Sequence, residues 1–320
     1  MFRTQLGATV GRLLPRAKAG SASVSRERYS TREVVTALAF VAPSLALFTI
    51  WIFYPLLRSI YLSFHGSDLF GSPTVFVGLT QYQQLFTLPD LRETIFRTAA
   101  FAVLTVVPGL VLGTLIALAL HERIRGIGVF RTMLATPFAF SVATASVIFQ
   151  IFFNPGVGVF NGILNLFHVA PVGWLTNPAT ALYSVAVATV WLQLGYNVLV
   201  LTSGLQGIPE EIYEAARLDG ARAMRLAIRV TIPLLTPTLF FLLVVNTITA
   251  LQSFGQIHIL TRGGPAGATT TLVYSIYLQA FAFGSTNYGL ASAMALVLFV
   301  IVLAVTAIQF GALERRVFYR

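Results

Sequence analysis

Cysteine is absent from the 320 residues, which excludes disulfides, thiolate metal sites and cysteine nucleophiles. Lysine occurs once, at Lys18, and Ala19 follows it, so the chain contains no P-loop. If ATP drives this protein, another chain must bind it. Charge is scarce as well: 10% of the residues are Asp, Glu, Lys or Arg, against about 25% in an average soluble domain. With 56% hydrophobic residues and a mean hydropathy of +0.80, the composition is a poor fit to disorder, collagen, a coiled coil or an ordinary soluble enzyme. What fits is a chain whose solvent is largely lipid. The formal net charge of +10 would point to nucleic acid in a soluble protein. Its distribution gives it another meaning here.

Charged residues are missing from 34–57, 98–120, 132–209, 230–261 and 263–313. A transmembrane helix needs about 20 mostly apolar residues. The gap from 132 to 209 holds two, with Asn154–Pro155–Gly156 and Asn177–Pro178 as breakers. The spacing predicts six spans near 34–57, 98–120, 132–153, 181–205, 232–255 and 289–311, the last preceded by a loop at Gly284–Ser285–Thr286–Asn287. Of the 21 Lys and Arg residues, 17 fall in the N-terminal tail, the 121–131 and 206–231 loops and the C-terminal tail. The other side carries only Arg58, Arg92, Arg97 and Arg262. By the positive-inside rule both termini and the 206–231 loop are expected to be cytoplasmic. The first 33 residues, with seven basic side chains, read as a polar cytoplasmic tail near anionic headgroups. The first apolar stretch is too long for a signal peptide and is expected to be retained.

The predicted spans contain no acidic residue, and His65, His121, His168 and His258 lie in or near predicted loops. An ion-coupled carrier usually binds its driving ion on such groups. There is no HExxH, no GxSxG and no pair of carboxylates within a span, so an integral-membrane enzyme has no catalytic constellation to rest on. Polar uncharged residues do occur, among them Gln150, Gln193, Asn197, Asn246, Gln252 and Ser253. They can serve as hydrogen bonds between helices or as a polar path for a hydroxylated solute, and both readings stay open on sequence alone.

The loop 206–233 reads QGIPEEIYEAARLDGARAMRLAIRVTIP and packs four acids and four arginines between two apolar spans. Pro209 suits the first position of a helix. Glu210, Glu211 and Glu214 then sit toward the positive end of its dipole. Ile212, Ala215, Ala216 and Leu218 form an apolar, small-residue side, and Gly220 after Asp219 suits a C′ position. A second short helix is predicted over about 221–230, ending before Pro233. The paired alanines would let another protein surface come close.

Glu214–Ala215–Ala216, three residues, Gly220, nine residues, then Val230–Thr231–Ile232–Pro233 resembles the EAA loop of ABC importer permeases. Val230 and Ile232 depart conservatively from the usual Ile and Leu of that motif. The likeness extends to Tyr54–Pro55, Phe76–Val77–Gly78–Leu79, Gly204–Leu205–Gln206–Gly207–Ile208–Pro209, Gly263–Gly264–Pro265 and Gly289–Leu290–Ala291–Ser292–Ala293. The chain is similar to the carbohydrate-uptake group of maltose F-type and glycerol-3-phosphate A-type subunits. Phe240–Asn246 and Glu314–Tyr319 favour the A-type, but such residues say little about substrate, and oligosaccharide importers stay open.

The resemblance implies an all-α type I importer permease fold in a prokaryotic plasma or inner membrane. Its parts would be a basic tail 1–33, a first helix and extracytoplasmic segment 34–97, a core permease domain 98–311 holding the EAA loop 206–233, and a tail 312–320. It implies a translocation subunit without enzymatic activity. The expected partners are a second homologous permease, a cytoplasmic ATPase dimer that binds ATP and Mg, and an extracytoplasmic substrate-binding protein. The implied solute is a mono- or oligosaccharide or sn-glycerol-3-phosphate. Glu210, Glu211, Glu214, Ala215, Ala216, Asp219, Gly220 and Pro233 are the implied coupling residues. Gln193, Asn197, Asn246, Thr249 and Ser253 are the candidates for a solute path. No basic residue lies in a predicted span, so a phosphate-bearing solute would draw its Arg or Lys from elsewhere. The alternative is an autonomous secondary carrier of a hydroxylated solute.

Overall fold

The computed structural model describes residues 31–68, 70–121, 126–282 and 286–313. The tails, most of the 121–125 turn and the Gly284–Ser285 part of the expected loop lie outside these residues. Contacts between Cα atoms divide the chain into two units, 1–54 and 55–320.

The first unit contains α1 (Thr31–Phe48) and a π-helical turn, Thr49–Phe53. Its large apolar side chains are exposed, including Leu47, Trp51 and Phe53. In a chain that spans a membrane, such a face meets lipid or another apolar protein surface.

α2 (Tyr54–Leu62) belongs to the second unit from Pro55 onward, and an antiparallel hairpin follows it, β1 (His65–Ser67) paired with β2 (Pro73–Phe76). The register sets His65 opposite Phe76, and the Gln81 side chain donates to the His65 carbonyl at 2.8 Å. This hairpin departs from an all-helical reading. It is short and lies within the 58–97 segment. After it come α3 (Thr80–Thr87) and α4 (Pro89–His121). The 33 residues of α4 would measure about 50 Å, well beyond a hydrocarbon core of ~30 Å. The expected 98–120 span is therefore the inner part of a helix that starts in the polar segment.

Next are α5 (Ile127–Ala135), a 3₁₀ turn (Thr136–Ala139), α6 (Val142–Phe152), α7 (Val159–Leu166) and α8 (Pro178–Gln206). The chain continues through α9 (Glu210–Leu218), α10 (Ala223–Leu226), a second π turn (Ala227–Thr231), α11 (Ile232–Leu234), α12 (Thr236–Leu251), α13 (Gly255–Leu260), α14 (Leu272–Phe281) and α15 (Tyr288–Leu313). Among the described residues four uninterrupted helices are long and apolar enough to cross a membrane: Thr31–Leu62, Pro89–Leu120, Pro178–Gln206 and Tyr288–Ala312. The expected third and fifth spans are not single helices. Ile127–Ala139 and Val142–Phe152 meet at 102°, and Ala223–Leu234 and Thr236–Leu251 meet at 66°. Counting each bent pair as one span restores six.

Each bend has a local cause. Pro137 sits in the 3₁₀ turn, Phe140 is extended, and Ser141 restarts a helix by accepting from the Thr144 backbone N–H at 3.1 Å. At the second bend Pro233 and Pro237 each withhold a backbone N–H from the helix ladder. The expected breakers do act as breakers. The Asn154 side chain accepts from Gly156 and Val157, and that of Asn177 caps α8 by accepting from Ala179 at 2.9 Å.

The core runs along α4 and α8. Toward one end Ala117 of α4, Leu201 and Leu205 of α8, and Leu235 and Leu242 pack together. Toward the other, Phe101 packs with Phe149, Phe153, Val185, Ile257 and Tyr274. A third cluster joins Leu85, Leu91 and Leu272 to Leu290, Ala293 and Met294. Thr98 of α4 ties in the start of α14, its hydroxyl accepting from the Leu272 backbone N–H at 2.7 Å. On α8 the closest approach to another segment's backbone is at Gly195. A Cβ there would lie 2.7 Å from the Phe138 nitrogen and 2.8 Å from the Ala135 carbonyl oxygen, both backbone atoms that cannot step aside. Gly195→Leu is therefore expected to destabilise the folded chain by about 3 kcal/mol or more, from overpacking against backbone. Gly162→Ala, inside α7 with nothing within 4 Å, should stabilise the chain by about 0.5 kcal/mol. Thermal unfolding of the two variants in detergent compares them.

Candidate functional site

The charged loop leaves α8 at Gln206 and returns toward α12. Its first helix, α9, starts at Glu210, one residue later than the sequence suggests, with Pro209 in the N-cap position. Glu210 and Glu211 occupy the first turn, where the helix dipole favours a carboxylate. Arg217 approaches Glu210 at 4.0 Å, with both side chains more than half exposed, so the pair adds little to stability.

The helix ends as its sequence prescribes. The Gly220 N–H donates to the Arg217 carbonyl and the Ala221 N–H to the Ala216 carbonyl, each at 3.0 Å. These two bonds form a Schellman motif, which requires a left-handed residue at Gly220, and its φ is +78°. Nothing lies within 4 Å of a Cβ built there, so backbone conformation alone selects glycine.

The apolar side expected on α9 divides into two faces. Tyr213, which the sequence reading passed over, is the buried residue, with Ile212 and Ala216 half-buried beside it. Burial pushes the Tyr213 phenol above its ordinary value. The Thr231 hydroxyl pulls it down, and the Glu210 carboxylate adds to the rise. Thr231 is itself buried in the returning π turn, so this contact pins α9 to the chain that enters α12. The opposite face presents Glu211, Glu214, Ala215 and Leu218 to the outside. Leu218 is 89% exposed, and Met224 across the turn is 72% exposed. Asp219 and Gly220 are exposed at the corner. The sequence reading also missed Met224. Its signal was an apolar residue between Arg222 and Arg225.

The second helix does not stop before Pro233. It widens to π over Ala227–Thr231 and continues through Pro233 to Leu234. A proline cannot donate to the carbonyl four residues back, here Arg229, and the widened turn accommodates that gap.

The five polar candidates inside the membrane unit do not form one lining. Asn197 of α8 is fully buried. Its amide donates to the Gly109 carbonyl of α4 at 3.2 Å, and its carbonyl oxygen accepts from the Asn246 amide of α12 at 2.9 Å. The two asparagines clasp three helices and present no open surface in this conformation. Ser253 is buried and donates to Gln256 at 3.0 Å. Thr249 is exposed, with its hydroxyl turned to the Val245 carbonyl. Gln193 is half-buried, and its Oε1 has no hydrogen-bond partner among the described residues. Asn197 and Asn246 lie 49 residues apart in sequence, so their pairing could not be read from spacing. Among the described residues no group of three or more His, Asp or Glu side chains could hold a metal ion.

Residues 109–319 match the family described as binding-protein-dependent transport system inner membrane component. The sn-glycerol-3-phosphate transport system permease protein UgpA of Brucella abortus is 40% identical over 282 residues, covering 87% of this chain and 94% of that protein. The trehalose/maltose transport system permease protein MalF of Thermococcus litoralis is 35% identical over 278 residues, covering 87% and 93%. Among solved structures, a chain of a bacterial alginate ABC transporter in complex with an alginate pentasaccharide-bound periplasmic protein superposes with a TM-score of 0.76. It covers 89% of this chain and 96% of that one, at 21% identity.

The Asn197–Asn246 clasp has a measurable consequence. A double-mutant cycle with Asn197→Ala and Asn246→Ala should give a coupling of about 0.6 kcal/mol, the usual size for a polar pair between membrane helices. Each single change should cost more than this, because it strands the partner's buried amide. Unfolding in detergent or bicelles measures both quantities.

Proposed function

The chain belongs to the family of binding-protein-dependent transport inner membrane components and is a permease subunit of an ABC importer; from that premise we propose that it carries a sugar-like solute and is driven through its 206–233 loop. The solute is a mono- or oligosaccharide or sn-glycerol-3-phosphate; the two relatives are named for sn-glycerol-3-phosphate and for trehalose and maltose. A cytoplasmic ATPase dimer holds the ATP and Mg, a second homologous permease completes the path, and a binding protein delivers solute from outside. The protein lies in the plasma or inner membrane, with the 206–233 loop and both tails cytoplasmic. Residues 98–311 act as the core permease, and 34–97 supply the first helix and an extracytoplasmic segment.

The observation that carries the coupling assignment is the division of α9 into two faces. Tyr213 holds it to its own chain, while Glu214, Ala215 and Leu218 stay uncovered. An exposed leucine beside carboxylates suits insertion into a cleft on a partner surface. Glu210, Glu211 and Glu214 provide charge at that contact, Ala215 and Ala216 allow close approach, and Asp219 and Gly220 set the corner. Pro233 supports the return into α12. Movement of α9 is passed on through the Tyr213–Thr231 contact and through Leu205 and Leu235, which share one cluster. α8 and α12 are clamped to α4 at Asn197, so the three helices respond together. Gln193, Thr249 and Ser253 remain our candidates for the solute path, and Asn197 and Asn246 join it if the clasp opens during the cycle.

The double variant Glu214→Ala, Gly220→Pro tests the coupling. Proline fixes φ near −65°, incompatible with the +78° at residue 220. Uptake by the complete importer should be abolished while the binding protein keeps its affinity for solute, and normal uptake would overturn the assignment. Reconstituting the chain alone in liposomes addresses the secondary-carrier alternative. Uptake driven by an ion gradient without the ATPase would refute the ATP-driven reading.

A further inference from the structure

Two adjoining recesses open at the Pro178 end of α8, the end remote from the 206–233 loop. Each has a volume of about 430 Å³, and they share Gln150, Leu260 and Thr261. His258, Ile259 and Arg262 complete the first. Asn154 and Thr176 lie among the neutral residues that complete the second. No acidic residue lines either recess. Volumes of this order suit small solutes, since ligand pockets run from about 300 to 1,000 Å³.

Arg262 is the single formal charge in the cleft and is exposed. It makes no ion pair among the described residues, whereas Arg97, whose guanidinium reaches the same loop near Gly267, is held by Glu93. Arg262 is also left-handed, with φ +51°, a conformation that a residue bearing a side chain keeps only when its surroundings enforce it. The enforcement is visible. The Arg262 backbone N–H donates to the Ile257 carbonyl at 2.9 Å, and the neighbouring Thr261 hydroxyl bonds the Thr269 hydroxyl at 2.7 Å. His258 is fixed by stacking on Phe254, with ring centroids 5.2 Å apart and 15° between planes. Its Nδ1 is buried without a hydrogen-bond partner among the described residues. The result is a rigid recess with amide, hydroxyl and imidazole groups around one unpaired guanidinium.

We propose that this cleft is an entry subsite for the anionic group of the transported solute, with Arg262 pairing its charge and Gln150, His258 and Thr261 taking its hydroxyls. The chemical class is a hydroxylated solute carrying one oxyanion, either a phosphomonoester or a carboxylate. The inference rests on the permease reading above and adds a selection among its solutes. A guanidinium offers planar, charge-assisted hydrogen bonds that match either oxyanion, and a neutral sugar leaves that capacity unused. The spans lack basic residues, and the cleft supplies the missing cation at the mouth of the path.

The test uses the complete importer in proteoliposomes with its own binding protein and ATP, offered sn-glycerol-3-phosphate, a glucuronate-containing disaccharide and maltose in separate assays. The expected result is uptake of one of the two anionic probes, which also tells phosphomonoester from carboxylate. Arg262→Gln should raise the KM for that probe about tenfold, the scale of one lost charge-assisted hydrogen bond, and Arg262→Lys should recover part of it. Uptake of maltose alone, or an unchanged KM in Arg262→Gln, overturns the cleft assignment and leaves the permease reading standing. A matching fall in affinity for the solute-free binding protein would place Arg262 in docking and also overturn it. ATP-dependent uptake of none of the three probes would count against the permease reading itself.

Discussion

The architecture depends on how closely α8 can approach its neighbours. At Gly195 its backbone touches the 3₁₀ turn of the bent third span, with no room for a Cβ. Two residues later Asn197 reaches the Gly109 carbonyl of α4 and the Asn246 amide of α12. In lipid the hydrophobic effect does not drive helices together, so small residues and buried hydrogen bonds must supply the association. An amide is useful in that setting because it can accept from one helix while donating to another. The side chain at 197 thus fixes the positions of three helices, and the leucine cluster below it fills the remaining space.

The charged loop uses a different kind of physics on the same frame. Water satisfies its exposed groups, so its form comes from local signals. Acids sit at the start of α9, and a left-handed glycine closes it. Among the residues of α9 Tyr213 is the buried one, with Ile212 and Ala216 half-buried beside it. A short helix held at one buried point and uncovered on its outer face can transmit a push without being rebuilt. At the far end of α8 the arrangement is reversed. The 258–265 segment is held by backbone and hydroxyl bonds, and its charged side chain faces an open recess. The helix between the two ends carries no charged residue.

Much of this was legible in the residues. The charge gaps marked six apolar stretches because no lipid-facing helix tolerates an unpaired charge. The breakers at Asn154–Gly156 and Asn177–Pro178 acted as breakers, since their turn-forming hydrogen bonds are local. The Gly220 corner was readable for the same reason. The bends within the third and fifth spans were not, although Pro137, Pro233 and Pro237 were in plain view. A proline states that a helix is interrupted, but the angle depends on what the two halves pack against. The hairpin at 65–76 was missed because its strands of three and four residues are too short to show a period.

The sequence by itself determined which segments are apolar and long enough to enter a membrane, which loop carries the EAA-like motif and where its helix must end. Each of these follows from transfer free energy or backbone conformation summed over neighbouring residues. Tertiary structure alone decided the partners of Asn197 and Asn246, the inward turn of Tyr213 and the placing of Gln150 and Arg262 on one recess. Those pairings join residues far apart in the chain. The same polar side chain can bond a neighbouring helix or face an open path, and only the packing of helices around α8 selects between them.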